Sequence, residues 1–343
     1  MLLLLMFRKS FFTFLFLFST LQLFTQIIPT TPSNESRTCS IIKLTPSTES
    51  LSPSSDLKLF SNQSNLSFRV ISFNTWGLPV GKAKRNLKVR LRNLSDSLMQ
   101  YKADIIGLQE MFKHKIREKY IQGMIDEGYF PNENYLCSQR SAVICRHDCY
   151  GGLMILSKHP IVRQHFFPFP KKKGMIFYEK LGNKGVMYAI IDAPIGKICV
   201  INTHLYAGRS GKAEAHRLHQ IEYIQQIITV EKLNEFPILF IGDFNVEHPD
   251  ITKAGNSKST VYPYVLNEMG FTDTVESVGA NMLTYSKELN DWAHPASGQQ
   301  KLDYIFYKAN DLSIQQKETK VIFNKGDFLS DHFGLFSEFD IGL

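Results

Sequence analysis

The chain of 343 residues is 43% hydrophobic and 21% charged, with 14 Pro, 21 Gly and a formal net charge of +7. Such a composition can bury a core, and it excludes wholesale disorder, collagen and coiled coil. Its apolar residues fall in short runs between polar clusters, which excludes a polytopic membrane protein.

Residues 1–28, with Arg8 and Lys9 ahead of the apolar stretch Phe11 to Phe24, read as a secretory signal peptide. A membrane anchor is the rival reading, although the apolar core is shorter than the ~20 residues of a spanning helix. Residues 29–67, dominated by Ser, Thr, Pro and Asn, are expected to form a linker. Export would permit one local disulfide among Cys137, Cys145 and Cys149. Their spacing with His147 is too tight for a structural zinc motif. Cys199, inside an apolar run, reads as a buried thiol.

From 68 to 343 a single folded domain is expected. Strand composition marks 68–73, 105–109, 152–156, 186–191, 198–202, 238–242, 304–307 and 335–339. Leu87, Leu91, Leu94 and Leu98 recur on one face and predict a helix over 84–101; others are expected over Ala213–Val230 and Tyr262–Met269. Strands interrupted by a few amphipathic helices argue for a layered sandwich with helices outside. Lys82, Lys84, Arg85, Lys88, Arg90 and Arg92 crowd the first helix; they fit a solvated face or attraction to a polyanion or an anionic membrane.

Polar residues cluster where strands begin or end. Asn74 closes the first strand, Glu110 follows the second, His204 closes 198–204, and Asp243 and Asn245 follow 238–242. Asp303 opens its strand, and Asp331–His332 precede the last. Strand ends can meet on one rim of a sheet. Carboxylate, amide carbonyl and imidazole are ligands that suit Mg²⁺ or Mn²⁺ and phosphate chemistry. Neither a nucleotide-binding Gly-rich loop nor a Gly-x-Ser-x-Gly elbow occurs, so a nucleophilic serine is not expected.

Asn74, Gln109–Glu110, Gly242-Asp243-Phe244-Asn245, Leu302-Asp303-Tyr304 and Ser330-Asp331-His332, in that order, resemble the endonuclease/exonuclease/phosphatase superfamily with its deoxyribonuclease-I-like fold. The resemblance implies a four-layered α/β/β/α sandwich of two mainly antiparallel sheets. Asn74 to Pro79, Gln109 to Phe112, Gly151-Gly152-Leu153, Leu181 to Val186 and Thr203-His204-Leu205 resemble neutral sphingomyelinases of the bacterial type. That implies hydrolysis of sphingomyelin to ceramide and phosphocholine by direct water attack, with Mg²⁺ (or Mn²⁺ or Co²⁺; one ion or two) held by Glu110, Asn74 and Asp331.

On the same resemblance the catalytic residues are His332, His204, Asp243, Asn245 and Asp303. His332, oriented by Asp303 or Asp331, activates the water or binds a second ion; Asp243 positions or deprotonates the water; Asn245 and His204 serve the phosphate and leaving group. Lys184 matches the family's lysine loop. Phe112, Trp76 and Tyr206 are candidates for the quaternary ammonium headgroup, since aromatic faces attract cations. The implied partner is sphingomyelin in a membrane surface, with neither nucleic acid nor an obligate protein partner. Bacterial sphingomyelinases carry an aromatic-tipped hairpin before Ser-Asp-His, where this chain offers only Ile322–Phe323 and Phe328. The alternative is a secreted Mg²⁺-dependent endonuclease of the same fold, to which the basic charge lends support. A third class, a catalytically silent binding module on the same scaffold, is disfavoured by the full ligand set.

Overall fold

The computed structural model describes residues 66–342 apart from 79–80, 113, 133–149, 172, 177–178, 180–181, 210–211, 252–258, 276–281, 296–297, 311–312 and 327, all within the unit Phe60–Leu343. The expectations for 1–28, for most of 29–67 and for Cys137, Cys145, His147 and Cys149 lie outside the described residues. In chain order the strands are β1 (Leu66–Asn74), β2 (Ile105–Gln109), β3 (Phe130–Pro131), β4 (Met154–Ser157), β5 (Ile161–Pro168), β6 (Gly185–Ala193) and β7 (Gly196–His204). They continue with β8 (Ile238–Asp243), β9 (Thr272–Asp273), β10 (Tyr285–Ser286), β11 (Gln299–Gln300), β12 (Asp303–Lys308), β13 (Ser313–Ile322) and β14 (Gly334–Gly342). The long helices are α1 (Leu87–Met99), α2 (His114–Asp126) and α3 (Ala213–Val230).

One six-stranded sheet has the order β13-β14-β1-β2-β4-β3 and the other β5-β6-β7-β8-β12-β9, with β10-β11 as a separate ribbon. Among the described residues only β1–β2 and β7–β8 pair in parallel; every other pairing is antiparallel. The two-residue period of a strand sorts the side chains. On β1, Phe68 and Val70 face the other sheet while Ile71 and Phe73 pack under α1 and α2; on β8, Leu239 and Ile241 face between the sheets while Ile238 and Phe240 pack under α3. Three apolar layers thus separate four layers of structure: the α/β/β/α sandwich.

The eight strands marked by composition are the eight interior strands. Of the six the sequence reading passed over, β13, β3, β5 and β9 are the edges of the two six-stranded sheets, and β10 and β11 form the separate ribbon. An edge strand need bury only one face, so β13 reads Ser-Ile-Gln-Gln-Lys-Glu-Thr-Lys-Val-Ile, without an apolar run.

Helix boundaries shift for local reasons. Asn86 takes a left-handed conformation (φ 50°), which separates the 3₁₀ turn Gly81–Lys84 from α1, so the expected helix over 84–101 begins at Leu87 and ends at Met99. Leu87, Leu91, Leu94 and Leu98 are all buried, each contributing about 2 kcal/mol. α3 has the expected limits. Over Tyr262–Met269 there is instead a short turn, Val261–Pro263, widening into a π-type turn over Tyr264–Glu268. α2 was not foreseen: its Lys- and Arg-rich sequence masked the stripe Tyr120, Ile121 and Met124 that packs beneath it. Cys199 is a buried free thiol. Among the described residues no helix is long and apolar enough to cross a membrane.

Candidate active site

The two parallel pairs bring the strand-end residues to one rim. Asn74 lies beside Gln109 at the end of β1–β2, and His204 beside Asp243 at the end of β7–β8. Asp303 is the antiparallel partner of Asp243. The two sheets are bridged there by polar contacts: Asn74 Nδ2 donates to Asp243 Oδ2 (2.9 Å), and Gln109 Nε2 donates to Asn202 Oδ1 (2.8 Å). Asn202 Nδ2 in turn donates to the carbonyls of Leu108 (3.0 Å) and Met154 (2.9 Å). The only sequence signal for Asn202 is a polar residue directly after the apolar run Ile198–Ile201.

Asp243 is the hub. Its Oδ2 lies 3.4 Å from His204 Nε2 and 3.7 Å from His332 Nε2, and its Oδ1 accepts from the Asn245 backbone N–H (2.9 Å). His332 Nδ1 bonds Asp303 Oδ2 at 2.9 Å, so Asp303 rather than Asp331 orients the ring. Thr284 Oγ1 accepts from the backbone N–H groups of Leu302 and Asp303, and the Tyr285 ring packs tilted against the imidazole, centroids 4.7 Å apart; neither carried a sequence signal. Glu110 Oε1 is 4.0 Å from His204 Nε2. Glu110 and His332 therefore belong to one constellation, joined through His204 and Asp243.

The loops that carry it are strained. Trp76, Glu110 and Asn245 have positive φ (49°, 56° and 52°), a conformation that side chains with a Cβ seldom adopt. Gly77 is required where the first two of these loops touch, because a Cβ there would stand 2.3 Å from the Glu110 carbonyl oxygen.

Burial dominates the electrostatics. It pushes the Glu110 carboxyl up to about 7 and that of Asp331 up to about 6, with the negative charge of Asp331 adding to the effect on Glu110. Burial also raises Asp303. Burial opposes a charge on Asp243, yet the imidazoles of His332 and His204 outweigh it and hold its pKa below the usual carboxylate value. His332 rises to about 10 against its own burial because Asp303 and Asp243 flank it. His204 is depressed by burial and by the Lys184 charge, so it is neutral.

These residues fit a divalent cation. Glu110 Oε2 and Asp303 Oδ1 are buried without a hydrogen-bond partner among the described residues, and ligating atoms of Asp243, Asp303 and His332 lie within 4.8 Å of one another. Unpaired buried carboxylate oxygens are costly in apolar surroundings, and a hard cation relieves that cost. Glu110 and Asp331, each raised by burial, are the carboxylates such an ion would hold ionised. Asn74 offers less than expected: Nδ2 is given to Asp243, and Oδ1 already accepts from the Trp76 backbone N–H (2.9 Å).

The four candidate substrate contacts fare unequally. Lys184 lies at the rim, its Nζ donating to Glu179 Oε1 (3.0 Å) and the Leu205 carbonyl (2.9 Å), and its charge reaches Glu110, His204 and Asp243. Asn245 likewise spends one amide N–H on Leu205 O (3.2 Å). Tyr206 does not present an open face: it is buried, and its ring closes over Gly208 and packs on His216. Phe112 is also buried, its ring against Gly152, where a Cβ would come within 2.8 Å. Trp76 is half-buried and stacks on Trp292. Of the apolar residues considered for membrane contact, one is buried and two are half-buried. Ile322 is buried and Phe323 packs edge-on against Phe73 and Tyr101, while Phe328 lies against Trp292 and Phe333.

Comparison with known proteins adds four findings. Over 304 residues the chain is 27% identical to the inositol phosphosphingolipids phospholipase C of Schizosaccharomyces pombe, covering 78% of this chain and 67% of that protein. Over 292 residues it is 25% identical to tyrosyl-DNA phosphodiesterase 2 of Xenopus laevis, covering 79% of this chain and 66% of that protein. The chain thus spans about two thirds of the length of these relatives. The crystal structure of sphingomyelinase C from Streptomyces griseocarneus superposes with a TM-score of 0.59 at 19% identity, covering 80% of this chain and 99% of that one, which establishes the shared sandwich fold. The Endonuclease/Exonuclease/phosphatase family matches residues 71–332, from the middle of β1 to the histidine of the rim, and the chain belongs to that family as a metal-dependent phosphodiesterase.

Proposed function

We propose that this enzyme is a phosphosphingolipid phospholipase C that hydrolyses sphingomyelin to ceramide and phosphocholine with Mg²⁺. The observation that carries the reading is the alignment with a phosphosphingolipid phospholipase C along 78% of the chain. The sphingomyelinase-like motifs from Asn74 to Pro79 and from Leu181 to Val186 support it, and the leader-like 1–28 supports an exported or anchored protein.

A phosphodiester repels nucleophiles and has a poor alkoxide leaving group. When bound, a divalent cation neutralises non-bridging oxygens and acidifies water, part of a barrier reduction on the order of 15–20 kcal/mol. The protein's own residues divide the remaining work. Glu110 and Asp331 supply negative charge for the cation. Asp243, ionised, orients the attacking water and accepts its proton. Asp303 holds His332 through Nδ1, so that the protonated Nε2 donates to the phosphate; this moves the role of base from His332 to Asp243. Neutral His204 donates an N–H hydrogen bond to the leaving oxygen, which takes its proton from solvent as ceramide departs, and Lys184 adds positive field. With Tyr206 and Phe112 buried, headgroup selection falls to other groups on the rim.

A second reading, cleavage of DNA phosphodiesters, is favoured by the net charge of +7 and by the tyrosyl-DNA phosphodiesterase relative. One experiment separates them: purified protein with Mg²⁺, given sphingomyelin vesicles in one arm and plasmid or 5′-tyrosyl DNA in the other. Phosphocholine release with intact DNA supports the lipid reading; DNA cleavage without phosphocholine release overturns it.

A further inference from the structure

Among the basic residues of α1, Lys88 and Arg92 are exposed, while Arg90 is 3% exposed. Its Nε donates to Arg85 O (3.1 Å), Nη1 to Thr75 O (3.1 Å) and Leu329 O (2.7 Å), and Nη2 to Trp76 O (3.2 Å) and Ala83 O (2.7 Å). A guanidinium has five N–H donors, so every donor is matched by a backbone carbonyl. Trp76 and Trp292 lie side by side against the group, their ring centroids 5.0 Å and 5.3 Å from its central carbon and 5.9 Å from each other. Burial lowers Arg90 to about 10, which leaves it charged at neutral pH.

The carbonyls come from three segments. Thr75 and Trp76 follow Asn74, Ala83 and Arg85 form the turn into α1, and Leu329 precedes Ser330-Asp331-His332. The β1–β14 ladder pairs Ser72 with Leu335 and goes no further, so it does not reach Asn74 on one strand or His332 on the other. The Trp292 turn is tied to the same segment: Asn290 Nδ2 donates to Ser330 O (2.8 Å), and Asn290 Oδ1 accepts from the Trp292 N–H (3.0 Å).

We propose that Arg90 is a positioning residue of the phosphodiesterase site: beyond the end of the β1–β14 ladder it clamps the segment of Asn74 to the segment of Asp331 and His332, with Trp76 and Trp292 closing over it. Lysine, with three donors in a tetrahedral head, cannot satisfy carbonyls from three segments in one plane. The proposal rests on the phosphodiesterase assignment and not on the lipid substrate.

Arg90→Lys and Arg90→Met are assayed on bis(p-nitrophenyl) phosphate with Mg²⁺, alongside circular dichroism and thermal melting. The chain has two tryptophans, and both stand in the clamp, so the exciton band of the stacked indoles reports this cluster alone. The expected result is loss of that band, a kcat lower by about 100-fold, and a KM within about twofold of wild type, because displacement of reacting groups by about 1 Å has that size of effect. A purely structural Arg90 would lower the melting temperature while folded variant kept its kcat. A folded variant that has lost the band yet turns over within about twofold of wild type overturns the proposal.

Should both variants fail to fold, Trp292→Leu opens the clamp without orphaning a carbonyl. An approximately tenfold fall in kcat is then expected, and an unchanged kcat overturns the proposal. Should wild type leave every phosphodiester intact, the phosphodiesterase assignment fails by itself. Arg90 is then read from Mn²⁺ affinity by calorimetry, where a roughly tenfold weakening is expected and an unchanged affinity overturns the proposal.

Discussion

Two buried charged clusters lie within a few residues of one another at the start of β12, and they are built on opposite plans. In one, Lys301 Nζ meets Asp273 Oδ2 at 3.1 Å and the Tyr304 ring at 3.5 Å, Tyr262 OH donates to the same carboxylate oxygen (3.0 Å), and His248 bonds Tyr262 (3.0 Å). Asp273 Oδ1 accepts from the Val275 N–H, so both its oxygens are in use. In the other, around Asp243 and Asp303, Glu110 Oε2, Asp303 Oδ1 and His204 Nδ1 lack partners among the described residues. Burial of charge serves architecture when every polar atom is matched. It serves chemistry when some are left for a cation and a phosphate. The closed cluster anchors the strand on which the open one depends.

The comparison breaks first at the open cluster. Glu110→Ala and Asp243→Ala should each reduce phosphodiester turnover by about 10³-fold or more with the far-UV spectrum unchanged. Turnover near wild type in either would show that the rim is not the reaction centre. At the closed cluster the loss should appear as stability. Lys301→Met leaves Asp273 as an uncompensated buried charge and is expected to cost about 3–5 kcal/mol in urea unfolding; a shift below 1 kcal/mol would mean the two clusters do not differ in kind.

Glu110→Gln sharpens the contrast through pH. The carboxyl titrates near 7 in the fold against an ordinary value of 4.5, so metal-free protein has its full Glu110 contribution below about 4.5 and loses it as pH rises through 7. With side-chain exposure of only 14%, the loss amounts to up to about 3 kcal/mol. In EDTA, Glu110→Gln should therefore match wild type near pH 4, exceed it in melting temperature at pH 8, and respond far less than wild type to added Mg²⁺. The smallest effect is expected on the exposed face of α1, where Lys88→Gln and Arg92→Gln should shift stability by under about 0.5 kcal/mol. That would set their solvated charges apart from Arg90, which lies two residues from each.

Composition and period alone located the eight interior strands, because a strand buried on both faces must be apolar nearly throughout; α3 and the leucine stripe of α1 were equally legible. Strand-end placement marked Asn74, Glu110, His204, Asp243, Asp303 and His332 as candidates for one rim. Tertiary structure alone decided which atoms meet: Asp303 rather than Asp331 holds His332, Asn74 spends its amide on Asp243, Tyr206 and Phe112 turn inward, and Arg90 leaves its charged neighbours to enter a ring of carbonyls. The physical reason is range. Hydrophobic patterning is written between residues a few positions apart. Hydrogen bonds and charge pairs such as Asn74–Asp243 and Arg90–Leu329 form between residues 169 and 239 positions apart, where no local signal in the chain foretells them.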